Sequence, residues 1–304
     1  MTALTVVEPG PLTTVQDFGR PGQAALGIGR SGACDRGAHR LANALVGNHP
    51  TLATLEVTFG GLEVTTDSDV MVATSGARCS GRFPHLSPFL LPAGETLALG
   101  MPAAGLRTYV AFRGGIDVDP VLGSRATDVL AGLGPKVPQA GDVLPVGTTD
   151  RPLPNVDVAP VPEPTGERMV LPVRPGPRRD WFDDEAWALL LSQTYTVDPE
   201  SNRVGVRLVG EPLSRTREGE LSSEGMLRGA IQVPPSGLPV LFLADHPVTG
   251  GYPVIGYVED EDVDRCAQLR PGQEVAFSAS RSAAVTGVVT GVVTGVVTGV
   301  VTDT

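Results

Sequence analysis

The chain has 304 residues, 41% of them hydrophobic, which is enough for two small domains or one large β-rich one. A net charge of −11 excludes the clustered cations that a nucleic-acid surface needs, and Lys136 is the single lysine, so nearly all the basic residues are arginine. Cys34, Cys79 and Cys266 are odd in number, far apart and without a C-x-x-C spacing; this argues against a zinc framework or a disulfide scaffold and suits reduced thiols in the cytoplasm.

The first element in chain order is a helix over Asp35–Val46, predicted by the spacing of Ala38, Leu41, Ala42 and Leu45 and the stop at Gly47. Leu55, Val57 and Phe59 then alternate with Glu56 and Thr58, and Gly60-Gly61 leads into Leu62-Glu63-Val64, a pattern that predicts a hairpin. Further strands are predicted at Asp69–Thr74, Glu95–Leu99 and Leu106–Phe112, the last with Leu106, Thr108, Val110 and Phe112 on one face. Residues 148–167 are rich in proline and charge, lack an amphipathic period and read as a linker. Beyond them a helix is predicted over Trp181–Leu191, capped by Asp180, with Phe182, Ala186, Leu189 and Leu190 as its buried stripe. Strands follow at Arg203–Val209, Ala230–Val233, Val240–Ala244 and Pro253–Val258. A short helix over Glu261–Leu269 and a strand over Glu274–Phe277 complete the pattern.

Glycine (38) and proline (28) supply the turns that so many short strands require. The expectation is a mainly β protein with a few short helices, folded as two barrel-like units over residues 1–147 and 168–280. Residues 281–304 carry a Val-Thr-Gly-Val repeat from Val285 to Val301. Glycine every fourth residue beside β-branched neighbours makes a poor membrane helix, so an extended tail is expected there. The chain does not open with a basic stretch followed by an apolar run, so no secretory signal is read.

The most informative stretch is Asp245-His246-Pro247-Val248-Thr249-Gly250-Gly251-Tyr252-Pro253, at the mouth of the Val240–Ala244 strand. Carboxylate and imidazole are proton-transfer groups, and paired glycines let backbone N–H groups approach a ligand. The bland alternative is a strand-ending turn. Arg113-Gly114-Gly115 follows its strand in the same manner, offering a fork and backbone donors to a carboxylate. Gly27-Ile28-Gly29-Arg30-Ser31-Gly32 spells the dinucleotide fingerprint, but the preceding Asp17–Gln23 is turn-rich where a buried strand is required. Ser31-Gly32 still lead into a helix whose N-terminal N–H groups favour anions, with Arg20 and Arg30 nearby. His39, expected on the helix surface, and His49, His85 and His246 show no metal-ligand spacing. No Walker motif, nucleophile elbow or biotinyl Met-Lys-Met is present.

Three segments together resemble the biotin-dependent carboxyltransferase family that includes the C-type subunit of 5-oxoprolinase and allophanate hydrolase subunit 2. They are Gly10–Gly22 continuing through Ser31–Asp35, Ala42–Asn48 and Leu55–Thr58; Phe112–Ile116 with Gly123–Thr127; and Pro175–Pro177 through Ser201–Gly205 and Gly229–Pro235 to Thr249–Pro253. The resemblance spans about residues 4–278. It implies two cyclophilin-like β-barrels, a B-type partner subunit and, in the 5-oxoprolinase system, a lamB-like A-type subunit. It further implies either ATP-dependent opening of 5-oxo-L-proline to L-glutamate or, in the urea carboxylase type, carboxyl transfer from carboxybiotin to urea. Such chemistry needs donors around developing oxyanions and an acid or base for nitrogen. On this reading Asp245 and His246 move protons, while Arg20, Ser31, Gly32, Arg113, Gly114, Gly115, Arg125, Gln232, Thr249, Gly250, Gly251 and Tyr252 hold the substrate. A regulatory module that antagonises a kinase inhibitor together with its B-type partner is the alternative.

Overall fold

The structure is a computed structural model that describes residues 2–219 and 221–280. The repeat-rich tail falls outside the described residues. The first nine strands are β1 (Thr2–Pro9), β2 (Leu12–Gln16), β3 (Thr54–Thr58), β4 (Leu62–Thr66), β5 (Val70–Gly76), β6 (Pro88–Leu91), β7 (Thr96–Ala98), β8 (Arg107–Phe112) and β9 (Val143–Val146). They form a four-stranded sheet, β7-β4-β1-β9, and a five-stranded sheet, β2-β3-β8-β5-β6. Period-two alternation turns Leu4, Leu62 and Val64 of one sheet towards Leu55, Val57, Val110 and Phe112 of the other, and these side chains share one core.

Helix α1 (Arg36–Leu45) lies on the outer face of the five-stranded sheet, where Ala38, Ala42 and Leu45 cover Ala73, Tyr109 and Ala111. Strand β8 is therefore buried on both faces, and an acid on the outer face of β3, Glu56, lies directly opposite Tyr109. Asp35 caps the helix by accepting from Ala38 N at 2.8 Å. His39, expected at the surface, is fully buried: its ring nitrogens lie 2.9 Å from Thr54 Oγ1 and 3.0 Å from Pro50 O. Residues 48–54 fold over that helix face, and burial pushes the imidazole down to about 4.

The predicted hairpin at Gly60-Gly61 is a corner between sheets. β3 pairs with β2 and β8, whereas β4 pairs with β1 and β7. Phe59, Gly60 and Gly61 have φ of 62°, 73° and 80°, one left-handed residue more than a two-residue turn uses, and the chain swings out of its sheet. A Cβ on Gly60 would sit 2.1 Å from Gly100 O. Gly60→Ala is expected to cost about 2 kcal/mol or more in chemical denaturation, from left-handed strain plus that clash; an unchanged midpoint would contradict the corner.

The second half contains β10 (Met169–Pro175), α2 (Asp184–Ser192), β11 (Thr194–Val197), β12 (Gly205–Val209), β13 (Glu224–Gly225), β14 (Ala230–Gln232), β15 (Val240–Phe242), β16 (Thr249–Gly250), β17 (Val254–Val258), α3 (Asp260–Cys266) and β18 (Glu274–Ala279). Seven of these strands close a barrel in the order β10-β17-β14-β15-β12-β11-β18, sealed by parallel pairing of β10 with β18. Leu171, Tyr195, Val206, Ile231, Leu241, Ile255 and Phe277 belong to its core. The predicted helix at Trp181 starts later, at Asp184. Asp183 rather than Asp180 accepts from Ala186 N at 2.7 Å, and buried Trp181 closes a preceding 3₁₀ turn.

Residues 148–167 form no strand or helix but are not a loose tether. Ala159 N donates to Leu86 O at 2.8 Å, Ala159 is buried beneath α1's cluster, and Glu163 pairs with Arg78. Among the described residues no helix is long and apolar enough to cross a membrane.

Candidate functional site

A buried charge network joins the two halves. Arg203, 1% exposed, precedes β12 and reaches into the first half. Its Nη1 donates to Glu56 Oε1, its Nη2 to Gly32 O at 2.7 Å, and its Nε to Asp245 Oδ2 at 2.9 Å. Asp245, 2% exposed, also accepts from Ser31 Oγ at 2.6 Å and Val129 N at 3.1 Å. Glu56 accepts in addition from Tyr109 OH at 2.6 Å and Cys34 N at 3.0 Å, and lies 3.4 Å from Arg107 Nε. Burial alone would raise the Glu56 carboxyl, but the Arg203 and Arg107 guanidinium groups hold it below the ordinary range. Burial likewise works against the Arg203 charge, and the surrounding anions, Glu56 and Asp245 among them, keep it protonated well above its usual value.

The network continues into a polar floor. Tyr109 OH accepts from Asp35 N at 2.7 Å, and Gln268 Nε2 donates to Asp35 Oδ2 at 2.7 Å. Gln268 Oε1 takes the N–H groups of Leu106 and Arg107, each at 3.0 Å. Above this floor lies a cleft of about 700 Å³ between α1, α3 and residues 161–169. Leu41, Leu86, Pro162, Pro164 and Met169 give it apolar walls. Burial pushes the Asp35 carboxyl up to about 6.

The predicted site residues fall in three places rather than one pocket. Ser31, Gly32 and Asp245 do converge, but inside the junction. Arg20 donates to Ala126 O and lies 3.8 Å from Asp128, so its guanidinium binds the 121–134 loop. Arg113, Gly114 and Gly115 form a structural turn: Arg113 Nη1 donates to Val46 O and Gly114 N to Asn48 Oδ1, both at 2.8 Å. Arg125 is spent on Val118 O and Asp117. Gln232, Thr249, Gly250, Gly251 and Tyr252 lie around the β13–β16 ribbon, with Gln232 Nε2 donating to Tyr252 O at 3.2 Å. Asp245 has four donors on its carboxylate and no free lone pair facing outward, which corrects its reading as an acid–base group. His246 hydrogen-bonds Pro247 O at 2.8 Å and stacks on Phe242, not on Asp245.

The anion site expected at the N-terminus of α1 is already filled from within. Arg36 N and Gly37 N both donate to the Asp264 carboxylate of α3 at 3.1 Å, and Asp35 takes Ala38 N. Arg228 ties the same corner together, donating to Asp264 Oδ1 at 2.5 Å and to Cys34 O at 2.8 Å. Cys34 and Cys266 are buried, which raises both thiols, Cys266 to about 12, and leaves neither poised as a nucleophile. Sequence reasoning gave no site role to Glu56, Arg107, Tyr109, Arg228, Asp264 or Gln268. It placed Arg203 at the start of a strand and Asp35 at the start of a helix, without roles in a site.

The sequence profile of the carboxyltransferase domain, subdomain A and B, matches residues 26–279. The C-type subunit of 5-oxoprolinase from Escherichia coli is 36% identical over 282 residues, covering 90% of both chains. Urea amidolyase of Lachancea kluyveri is 32% identical over 90% of this chain, which spans 17% of that protein. The crystal structure of the K. lactis urea amidolyase aligns with a TM-score of 0.84 at 29% identity, covering 91% of this chain and 18% of that one. A mainly β chain with a seven-stranded barrel, matched over nearly its full described length, is defined by these likenesses: it belongs to the carboxyltransferase domain family, subdomain A and B.

Proposed function

We propose that this chain is the C-type subunit of a cytoplasmic, heteromeric enzyme that opens 5-oxo-L-proline to L-glutamate at the expense of ATP, assembled with a B-type subunit and a lamB-like A-type subunit. The observation that carries this reading is the 36% identity to the C-type subunit of a 5-oxoprolinase over 90% of each chain. The urea amidolyase matches favour a second reading, carboxyl transfer to urea from carboxybiotin, over a much smaller share of those proteins.

Neither the Gly27–Gly32 loop nor the N-terminus of α1 fits a nucleoside triphosphate. The Gly27–Gly32 loop follows a 3₁₀ turn rather than a strand, and the N–H groups opening α1 are held by Asp264 and Asp35. ATP chemistry therefore belongs to the partner subunits in this proposal. The contribution of this chain is a junction of two halves closed by Arg203 between Glu56 and Asp245.

Co-purification with the B-type and A-type subunits, followed by assay of ATP-dependent glutamate release from 5-oxoproline, tests the reading. Release by the assembly and by no chain alone is the expected result. Turnover of urea instead would move the assignment to the carboxyltransferase reaction, and binding to the B-type subunit without turnover would favour a regulatory module.

A further inference from the structure

We propose that the cleft between α1, α3 and residues 161–169 is a binding site for a small organic cation with an apolar body, an alkyl- or arylammonium group paired with Asp35 at the floor. The inference goes beyond the amide or ureide reading and does not rest on it.

The argument starts from how this fold treats its inward-facing acids. Glu56 faces Arg203 and Arg107, Asp245 faces Arg203, and Asp128 lies 3.8 Å from Arg20. Asp17 is enclosed by three donors, Gly19 N, Ser124 Oγ and Arg125 N. Asp35, like Asp17, has only neutral donors, but it has two where Asp17 has three and it opens onto a cleft. Its two hydrogen bonds come from neutral donors, Ala38 N and Gln268 Nε2, and it makes no ion pair among the described residues. It is also the acid that lines the floor of a large cleft. A carboxylate surrounded by protein and lacking a cation is costly unless one is supplied. The raised Asp35 carboxyl reports that cost, with burial as its main cause and Asp264 and Glu56 adding to it.

Two other acids of the cleft are already engaged. Asp264 is held by Arg228 and the first amides of α1, and Glu163 by Arg78. Gln268 has both ends occupied by backbone and Asp35. Glu167, Arg168 and Arg265 stand exposed on the lining, Arg265 paired with Asp262, so at the floor it is Asp35 that meets the ligand's charge, while Leu41, Leu86, Pro162, Pro164 and Met169 take its apolar body. About 700 Å³ suits a small molecule rather than a bare ion.

Titration calorimetry of the full chain at pH 7.5 with benzylammonium, benzyl alcohol and benzoate separates charge from shape. Benzylammonium is expected to bind at least about tenfold more tightly than the alcohol, and benzoate not at all. The backbone amide resonances of Gly76 and Gln268 should shift with the ammonium probe. Asp35→Asn keeps a capping side chain and should erase the preference. Equal binding of alcohol and ammonium, no binding of any probe at millimolar concentration, or an unaltered preference in Asp35→Asn would each overturn the proposal. None of these outcomes bears on whether the assembled complex hydrolyses 5-oxoproline.

Discussion

Replacing Arg203 by methionine is expected to destabilise the protein by roughly 3–5 kcal/mol, the largest effect of any single substitution at the junction. The guanidinium holds two buried carboxylates, Glu56 from the first half and Asp245 from the second, and the carbonyl of Gly32. Methionine fills much of the volume but leaves Asp245 without a cation and Glu56 with Arg107 alone, in a place water does not reach. Arg203→Lys should also be costly, because one ammonium cannot present the fork that serves three acceptors on different sides. Urea denaturation followed by tryptophan fluorescence reads both variants. A midpoint for Arg203→Met within about 1 kcal/mol of the parent would mean that the junction is held by something else.

Asp35→Asn is expected to act in the opposite direction at pH 8, stabilising the chain by on the order of 2 kcal/mol. Burial pushes the Asp35 carboxyl from 3.8 up to about 6 in the folded state. Between those values the folded protein binds a proton that the unfolded chain does not, so stability rises as pH falls through 6 and the ionised form is the strained one. Asparagine removes the charge and keeps the cap but sets its amide against the Gln268 Nε2 donor, so the gain stays below the full linkage energy, is largest above pH 7 and vanishes below pH 4. His39 works against this in the same window. Its imidazole, pushed down to about 4, stays neutral when folded, and stability is lost as pH drops below 6.5. With Asp35 neutralised, the acid-side slope left by His39 should steepen. Thermal melts of parent and variant from pH 4 to 8 test this; a destabilised variant at pH 8, or a difference independent of pH, would contradict it.

The strand pattern was legible because period two survives in the short runs: Leu55-Glu56-Val57 and Leu106 to Phe112 announce themselves by alternation. The sheet each strand joins was not legible. Gly60-Gly61 looks the same in a hairpin and in a corner, and the difference lies in Phe59 sharing the left-handed conformation. The same limit hid the junction. In a strand read alone, Glu56 belongs to a solvated face; it is buried because α1 and its lead-in loop cover that face, a tertiary fact with no local signal. Arg203 sits before a strand like any surface arginine, and its partners are 147 and 42 residues away. Chemistry-bearing residue types drew attention to Asp245 and Arg20, and both side chains face inward. The sequence did not reveal that each was already saturated by the protein. Asp35 was visible as a helix cap; its lack of a cation needed the whole fold.

The account stands on Arg203 coupling the halves through Glu56, and a double-mutant cycle on that pair measures the coupling directly. Unfolding free energies of the parent, Arg203→Met, Glu56→Gln and the double variant should yield an interaction energy of about 2 kcal/mol or more, with the double variant recovering part of the single losses. Additive losses, with a coupling below about 0.5 kcal/mol, would show that the two side chains do not hold each other.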